Sequence, residues 1–240
     1  MANIHMTLQG KGGVGKSLIA SMVAQYKGQN DGLGLCVDTD PVNTSFHGFK
    51  GLNVRCLDII ENNQINPVRF DGLIEWISTA EKDMVIDNGA SVFVPLAHYL
   101  IGSEVADLIS NLNHQLVIHT VLVGGHAFPD TLNGFSHLVG QFPKSTQFVV
   151  WLNEYFGKVE YDGMGFEDMK SYKENKGRVH AIITWPELQK ETFGHDLNNM
   201  LKERLTFQEA LSCDKRGIMT KQRLKIVRDK VFKQLKAACL

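Results

Sequence analysis

Eight consecutive residues constrain this chain more than any other feature. Gly10-Lys11-Gly12-Gly13-Val14-Gly15-Lys16-Ser17 satisfies every defined position of G-x-x-x-x-G-K-[ST]. Ile4–Leu8 before it reads as a short apolar strand. The residues after it read as a helix from Ser17, with Ile19, Met22, Val23 and Tyr26 on one face. A strand, a glycine-rich turn and a helix in that order make a cradle for phosphate. Glycines reach the backbone angles that a tight wrap needs, and amides of the turn and the helix start point at the anion. In such a cradle Lys16 neutralises the β- and γ-phosphates and the Ser17 hydroxyl ligates Mg²⁺. Gly10, Lys11, Gly12, Gly13, Val14, Gly15 and Leu18 complete the expected nucleotide contacts. Without an anion, two lysines in so small a loop would repel each other.

The rest of the chain repeats the strand–helix alternation. Leu33–Asp38 is predicted as a strand, after the turn signal Asn30-Asp31-Gly32. A short further strand falls within 51–58. Phe70–Ala80 and Leu96–Leu112 read as helices, and Met84–Asp87 between them as a buried strand. Leu116–Val123, Gln147–Leu152 and Val179–Trp185 read as strands, and Thr131–Leu138 as part of a helix. Helices follow near 187–205 and 219–237. This alternation predicts an α/β fold: a doubly wound, mostly parallel sheet with helices on both faces. No repeat or linker divides the chain, so residues 1–240 are expected to form a single domain. Glu154–Lys176, rich in Gly, charge and Tyr, reads as an excursion between two strands.

Composition excludes some classes and leaves others open. The longest apolar run is five residues, Phe148–Leu152, against the roughly 20 that a membrane-spanning helix needs. The first residues lack the pattern of a signal peptide. The four cysteines are scattered, which fits reduced thiols and a cytoplasmic protein. The formal net charge of −1 hides a polarity: residues 1–213 carry net −8 and residues 214–240 net +7. Within the basic end, Leu224, Val227, Val231 and Leu235 recur at helical spacing. Lys221, Arg223, Lys225, Arg228, Lys230, Lys233 and Lys236 occupy the other faces. The stripe favours a packed final helix. The basic face leaves open a contact with DNA or with an anionic membrane.

Three carboxylates are candidates to complete the site. The second strand ends in Val37-Asp38-Thr39-Asp40-Pro41, and a later apolar strand ends in Asp87-Asn88-Gly89. Carboxylates at the C-terminal ends of parallel strands sit where such sheets bind ligands. Standing alone, Asp-x-Asp-Pro would be only a capped turn. Nine histidines show no metal-ligand spacing, and His114 and His119 fall on opposite faces of a strand. No serine sits in a G-x-S-x-G elbow.

Lysine directly after the first glycine, in K-G-G-V-G-K-S, resembles the deviant phosphate loop of the ParA/MinD superfamily. That group also includes the nitrogenase iron protein and the arsenite-pump ATPases. The resemblance implies ATP and Mg²⁺ as cofactors and a homodimer with ATP sandwiched between the subunits. It implies catalytic roles for Lys16, for Lys11 reaching the partner's nucleotide, and for Asp40 orienting water. Ser17, Asp38, Asp40 and Asp87 would surround Mg²⁺, with Asp38 in support and Asp87 acting through water. Asn88-Gly89 would begin a γ-phosphate-sensing switch. Asn153, at the end of a strand, matches the position that contacts adenine, and Pro186 matches one that lines the same pocket. Asn153 also reads as a capping residue. The absence of N-K-x-D after that strand disfavours guanine.

Several stretches are similar to the TraL-type proteins of plasmid conjugation regions. These are Leu8–Ser17, Asp38–Asn43, Val85–Ser91, Phe93–Leu96 and Met219–Arg228. This narrower resemblance implies an ATPase, cytoplasmic or peripheral to the inner membrane, that acts with a protein component of a transfer or positioning apparatus. Leu18 and the lack of D-P-Q after the second strand set the chain apart from partition proteins.

Overall fold

The computed structural model describes residues 1–29 and 31–240; Asn30, part of the expected Asn30-Asp31-Gly32 turn, lies outside the described residues. The first half of the chain runs β1 (Asn3–Thr7), α1 (Lys16–Gly28), β2 (Leu33–Asp38), β3 (Arg55–Cys56), β4 (Ile60–Glu61), β5 (Gln64–Ile65), α2 (Asp71–Ser78), β6 (Asp83–Asp87), α3 (Phe93–Gly102) and α4 (Val105–Asn111). The second half runs β7 (Gln115–Val123), α5 (Phe128–Gln141), β8 (Gln147–Asn153), β9 (Glu160–Tyr161), β10 (Met164–Gly165), α6 (Lys170–Asn175), β11 (Val179–Trp185), α7 (His195–Lys202), α8 (Phe207–Ser212) and α9 (Ile218–Ala237).

Seven strands form a parallel sheet in the order β11-β8-β7-β1-β6-β2-β3. Strand order reverses at β1, with β2, β3 and β6 on one side of it and β7, β8 and β11 on the other. Ligands bind such sheets at this reversal, beyond the C-terminal strand ends. The glycine-rich turn emerges there. The expected doubly wound fold is therefore the observed one.

Alternation along the strands divides the core. Ile4, Met6 and Leu8 join Ile86, Ile118 and Val150 in a cluster beneath α2–α6. Val85, Val117, Val121, Val149 and Trp151 join residues of α1, α7, α8 and α9 on the opposite face. Both faces are covered, as a parallel sheet requires. The α9 stripe of Leu224, Val227, Val231 and Leu235 is fully buried, each side chain worth about 1.5–3 kcal/mol. α9 also protects the edge strand β11. The Gln234 side chain accepts from Thr184 N at 2.8 Å and donates to Thr184 O at 3.0 Å, as a neighbouring strand would.

Histidines contribute to packing. His114 Nδ1 accepts from Ala2 N at 3.2 Å. His5, His119 and Trp151 are buried together: Trp151 Nε1 donates to His119 Nδ1 at 2.9 Å, and His119 Nε2 lies 3.0 Å from His5 Nδ1.

Three expected elements differ. The span 96–112 is two helices bent by 59°, because Glu104 has φ 50°, a left-handed angle that a right-handed helix cannot continue. The span 187–205 opens with one π-helical turn, Lys190–Gly194, in which Gly194 N donates to Gln189 O at 2.9 Å, and α7 ends at Lys202. Within 51–58 only Arg55–Cys56 is strand, because Asn53 turns the chain at φ 49°. The excursion after β8 contains the β9–β10 hairpin and α6. Its turn, Asp162-Gly163, carries the positive φ angles that a two-residue hairpin needs, as does Asn62-Asn63 between β4 and β5.

Candidate nucleotide-binding site

The turn from β1 to α1 has the backbone of an anion cradle. Gly13 and Gly15 have φ of 73° and 103°, angles that other residues rarely adopt. Lys16 begins α1 and is largely buried; its Nζ donates to the Lys11 carbonyl at 2.9 Å. Burial lowers the Lys16 pKa, and Asp87 and Asp40 oppose that shift. Together Gly12, Gly13, Lys16, Ser17, Asp40 and Asn88 border a cleft of about 390 Å³. Leu18 lines this cleft and a second pocket beside it.

The carboxylates differ in what they do. Asp38 is buried and spends both oxygens on backbone: Oδ1 accepts from Asp40 N, and Oδ2 from Phe46 N and His47 N, at 2.9–3.1 Å. Burial raises its pKa while these bonds pull it down. In this structure Asp38 shapes the loop that carries Asp40. Asp40 Oδ1 accepts from Val42 N and Asn43 N, capping its own turn at the cleft margin. A Cβ at Gly89 would run into this carboxylate, so a side chain there must displace Asp40. Asp87 is buried at the end of β6 and accepts from the Thr7 hydroxyl at 2.7 Å. Burial pushes Asp87 up to about 6, against hydrogen bonds from Ser17 and Thr7.

Thr7 and Thr39 are participants that sequence reasoning does not single out. Thr7 also accepts from Asn88 N at 3.2 Å, and Asn88 Nδ2 donates to Thr7 O at 2.9 Å. Thr39 donates to Asn88 Oδ1 at 2.8 Å. Asn88 thereby ties the ends of β1, β2 and β6 together. The available signal was strand alternation, which puts Thr7 on the face opposite Met6, toward α1.

Asn153 serves in two ways. Nδ2 donates to Val14 O at 2.9 Å and Oδ1 accepts from Tyr155 N at 3.1 Å, so the residue caps the turn and braces the phosphate loop. It lines the second pocket, of about 190 Å³, with Gly15, Leu18, Trp185, Leu188 and Leu201. Pro186, expected there, is not among the lining residues; its neighbour Trp185 and nearby Leu188 are. Lys11 projects to the other side, where its Nζ lies 2.8 Å from Asp130 Oδ2 at the start of α5. Among the described residues no cluster of three or more His, Cys, Asp or Glu is disposed to hold a metal. Mg²⁺ held by Ser17, waters and phosphate oxygens requires none. Ser17, which borders the cleft and bonds the buried Asp87, fits that mode.

The fold superposes on the MinD cell division protein of Aquifex aeolicus with a TM-score of 0.53 and 15% identity, covering 96% of this chain and 97% of that one. A chain of the MinC:MinD cell division protein complex of the same organism gives a TM-score of 0.52 and 13% identity, covering 97% of this chain and 96% of that one. The doubly wound sheet with G-K-G-G-V-G-K-S at the end of β1 is the P-loop fold that MinD has. No protein-family model matches the chain. Two proteins named TraL from Escherichia coli are each 55% identical over 240 residues, covering 100% of this chain and 100% of their own length. The chain belongs to the TraL family.

Proposed function

We propose that the chain is a Mg²⁺-dependent ATPase, one domain over residues 1–240, that works as a dimeric switch in plasmid conjugative transfer. The observation that carries this reading is the convergence of Lys16, Ser17, Asp40 and Asn88 on one cleft at the strand-order reversal. Bound Mg²⁺ would offset phosphate charge. The loop amides and Lys16 would hold the triphosphate, and Asp87 would keep the Ser17 hydroxyl oriented. Asp40 would orient the attacking water through its second carboxylate oxygen while Oδ1 keeps the turn closed. The pocket beside Asn153 and Trp185 would take the adenine. Lys11, released from Asp130, would reach the partner subunit's nucleotide, which makes hydrolysis depend on association. The TraL relatives support conjugative transfer as the setting. The protein would act in the cytoplasm beside the transfer apparatus, where the basic face of α9 would meet DNA or anionic lipid.

The test is ATP binding, ATP hydrolysis and ATP-dependent dimerisation of the wild type, Lys16→Ala, Lys11→Ala and Asp40→Ala. Lys16→Ala should weaken ATP binding about 10–100-fold, the worth of a charge-assisted phosphate contact. Lys11→Ala should bind ATP and fail to dimerise. Normal dimerisation and turnover by Lys11→Ala would remove the dimeric switch.

A further inference from the structure

α7 ends in a turn that a glycine would ordinarily make. Arg204 N donates to Leu201 O at 3.0 Å and Leu205 N to Met200 O at 3.1 Å, with Arg204 at φ 55°. This pair of bonds closes a helix with one left-handed residue, a place where glycine predominates because it has no Cβ. An arginine held there is disfavoured by its backbone, so its presence points to the side chain.

That side chain crosses to a loop 160 residues away. Arg204 Nη1 donates to Thr44 O at 3.1 Å. A Cβ at Gly48 would run into Arg204 Cδ and Nη1, so Gly48 is the seat for the arginine. Thr44 is exposed, and water could satisfy its carbonyl; folding alone does not require the contact. The loop matters more. Asp40, Asn43 and Ser45 of this segment border the phosphate cleft, and Asp38 holds its far end at Phe46 and His47. On the other side of Arg204, Leu197, Asn198 and Leu201 of α7 line the pocket beside Asn153. Arg204 is thus where the helix that borders the second pocket grips the loop that carries Asp40.

We propose that Arg204 is a positioning residue that couples occupancy of the base pocket to the placement of the Asp40 loop. This rests on the nucleotide reading above and adds to it: the base, through α7 and Arg204, sets the loop, where a triphosphate alone would not.

Hydrogen exchange on the full chain tests it, with Mg-ATP and Mg-tripolyphosphate as the two probes. In the wild type, ATP should slow exchange at Val42, Asn43, Phe46 and His47 about fivefold or more beyond tripolyphosphate, the lower end for coupled sites. Arg204→Gly should abolish that excess without lowering the Tm, because glycine accepts the angle. Gly48→Ala, whose Cβ takes the arginine's seat, should abolish the excess as Arg204→Gly does. An ATP excess that survives Arg204→Gly overturns the proposal. So does one that survives Gly48→Ala. Protection of Gly12–Ser17 by both probes, with no ATP excess at the loop of the wild type, overturns the coupling alone. No protection of Gly12–Ser17 by either probe removes the nucleotide reading and the coupling with it.

Discussion

Lys11 Nζ lies 2.8 Å from Asp130 Oδ2, so the lysine that marks the deviant motif is held by the first turn of α5 in its own chain. Both side chains are about half exposed, and such pairs contribute less than about 1 kcal/mol to folding. Asp130→Asn is therefore expected to leave the Tm nearly unchanged while freeing the lysine. With ATP and Mg²⁺, this variant should dimerise at lower protein concentration than the wild type, as sedimentation would record. An unchanged midpoint would mean that the ion pair does not restrain Lys11.

Gly89 is expected to be intolerant of a side chain for a reason located in another strand's loop. A Cβ there would strike the Asp40 carboxylate. Gly89→Ala should move Asp40 rather than the buried strand end. ATP affinity should stay near the wild-type value while turnover falls about 10–100-fold, as for other small misplacements at reacting centres. An equal loss in affinity and turnover would point instead to general collapse of the cleft.

Asp87 is expected to give the metal-free protein a pH signature. Its pKa is raised to about 6 by burial, against about 3.9 for an unfolded aspartate. Between those values the folded chain holds a proton that the unfolded chain has released. The stability this group contributes is thus present below about pH 4 and is lost as pH rises through 6. Asp87→Asn should raise folding stability at pH 7.5 by about 1–3 kcal/mol and change little at pH 4. Denaturant titrations at the two pH values provide the check. Equal stability of both proteins at pH 7.5 would contradict the burial argument.

The His5–His119 pair is expected to act with the opposite sign. The Trp151 N–H occupies His119 Nδ1, so the neutral ring carries its proton on Nε2 and donates it to His5 Nδ1. Burial lowers both histidine pKa values. Below about pH 6.5 the unfolded chain takes up protons that these rings resist. Their contribution is therefore intact above that pH and lost as pH falls. His119→Gln should lower stability at pH 7 and flatten the decline between pH 6.5 and 5, measured by Trp fluorescence in denaturant. A decline as steep as the wild type's would place the acid-sensitive group elsewhere.

Periodicity was enough to reveal β1, β2, β6, β7, β8 and β11, because buried parallel strands are apolar throughout and bounded by turn residues. It did not reveal the break at Glu104. The apolar spacing continues across that residue, and only its backbone angle interrupts the helix. The α9 stripe was legible as a packed face, but the Gln234 bonds to Thr184 were not, since they depend on which strand forms the sheet edge.

At the site, the eight-residue loop announced itself because phosphate binding is done by a contiguous backbone, and the residues that permit that backbone are adjacent in the chain. Asp38, Asp40, Asp87 and Asn153 could be found as strand ends. Their division of labour could not. Whether a carboxylate faces a cleft or spends its oxygens on nearby amides depends on loops folded from distant segments. Only the fold brings Thr7 to Asp87, Lys11 to Asp130, and Arg204 to Thr44 and Gly48. Local chemistry was written in the order of the residues. Contacts across 80 to 160 residues were decided by packing, because sheet order and helix direction, not sequence distance, determine which side chains meet.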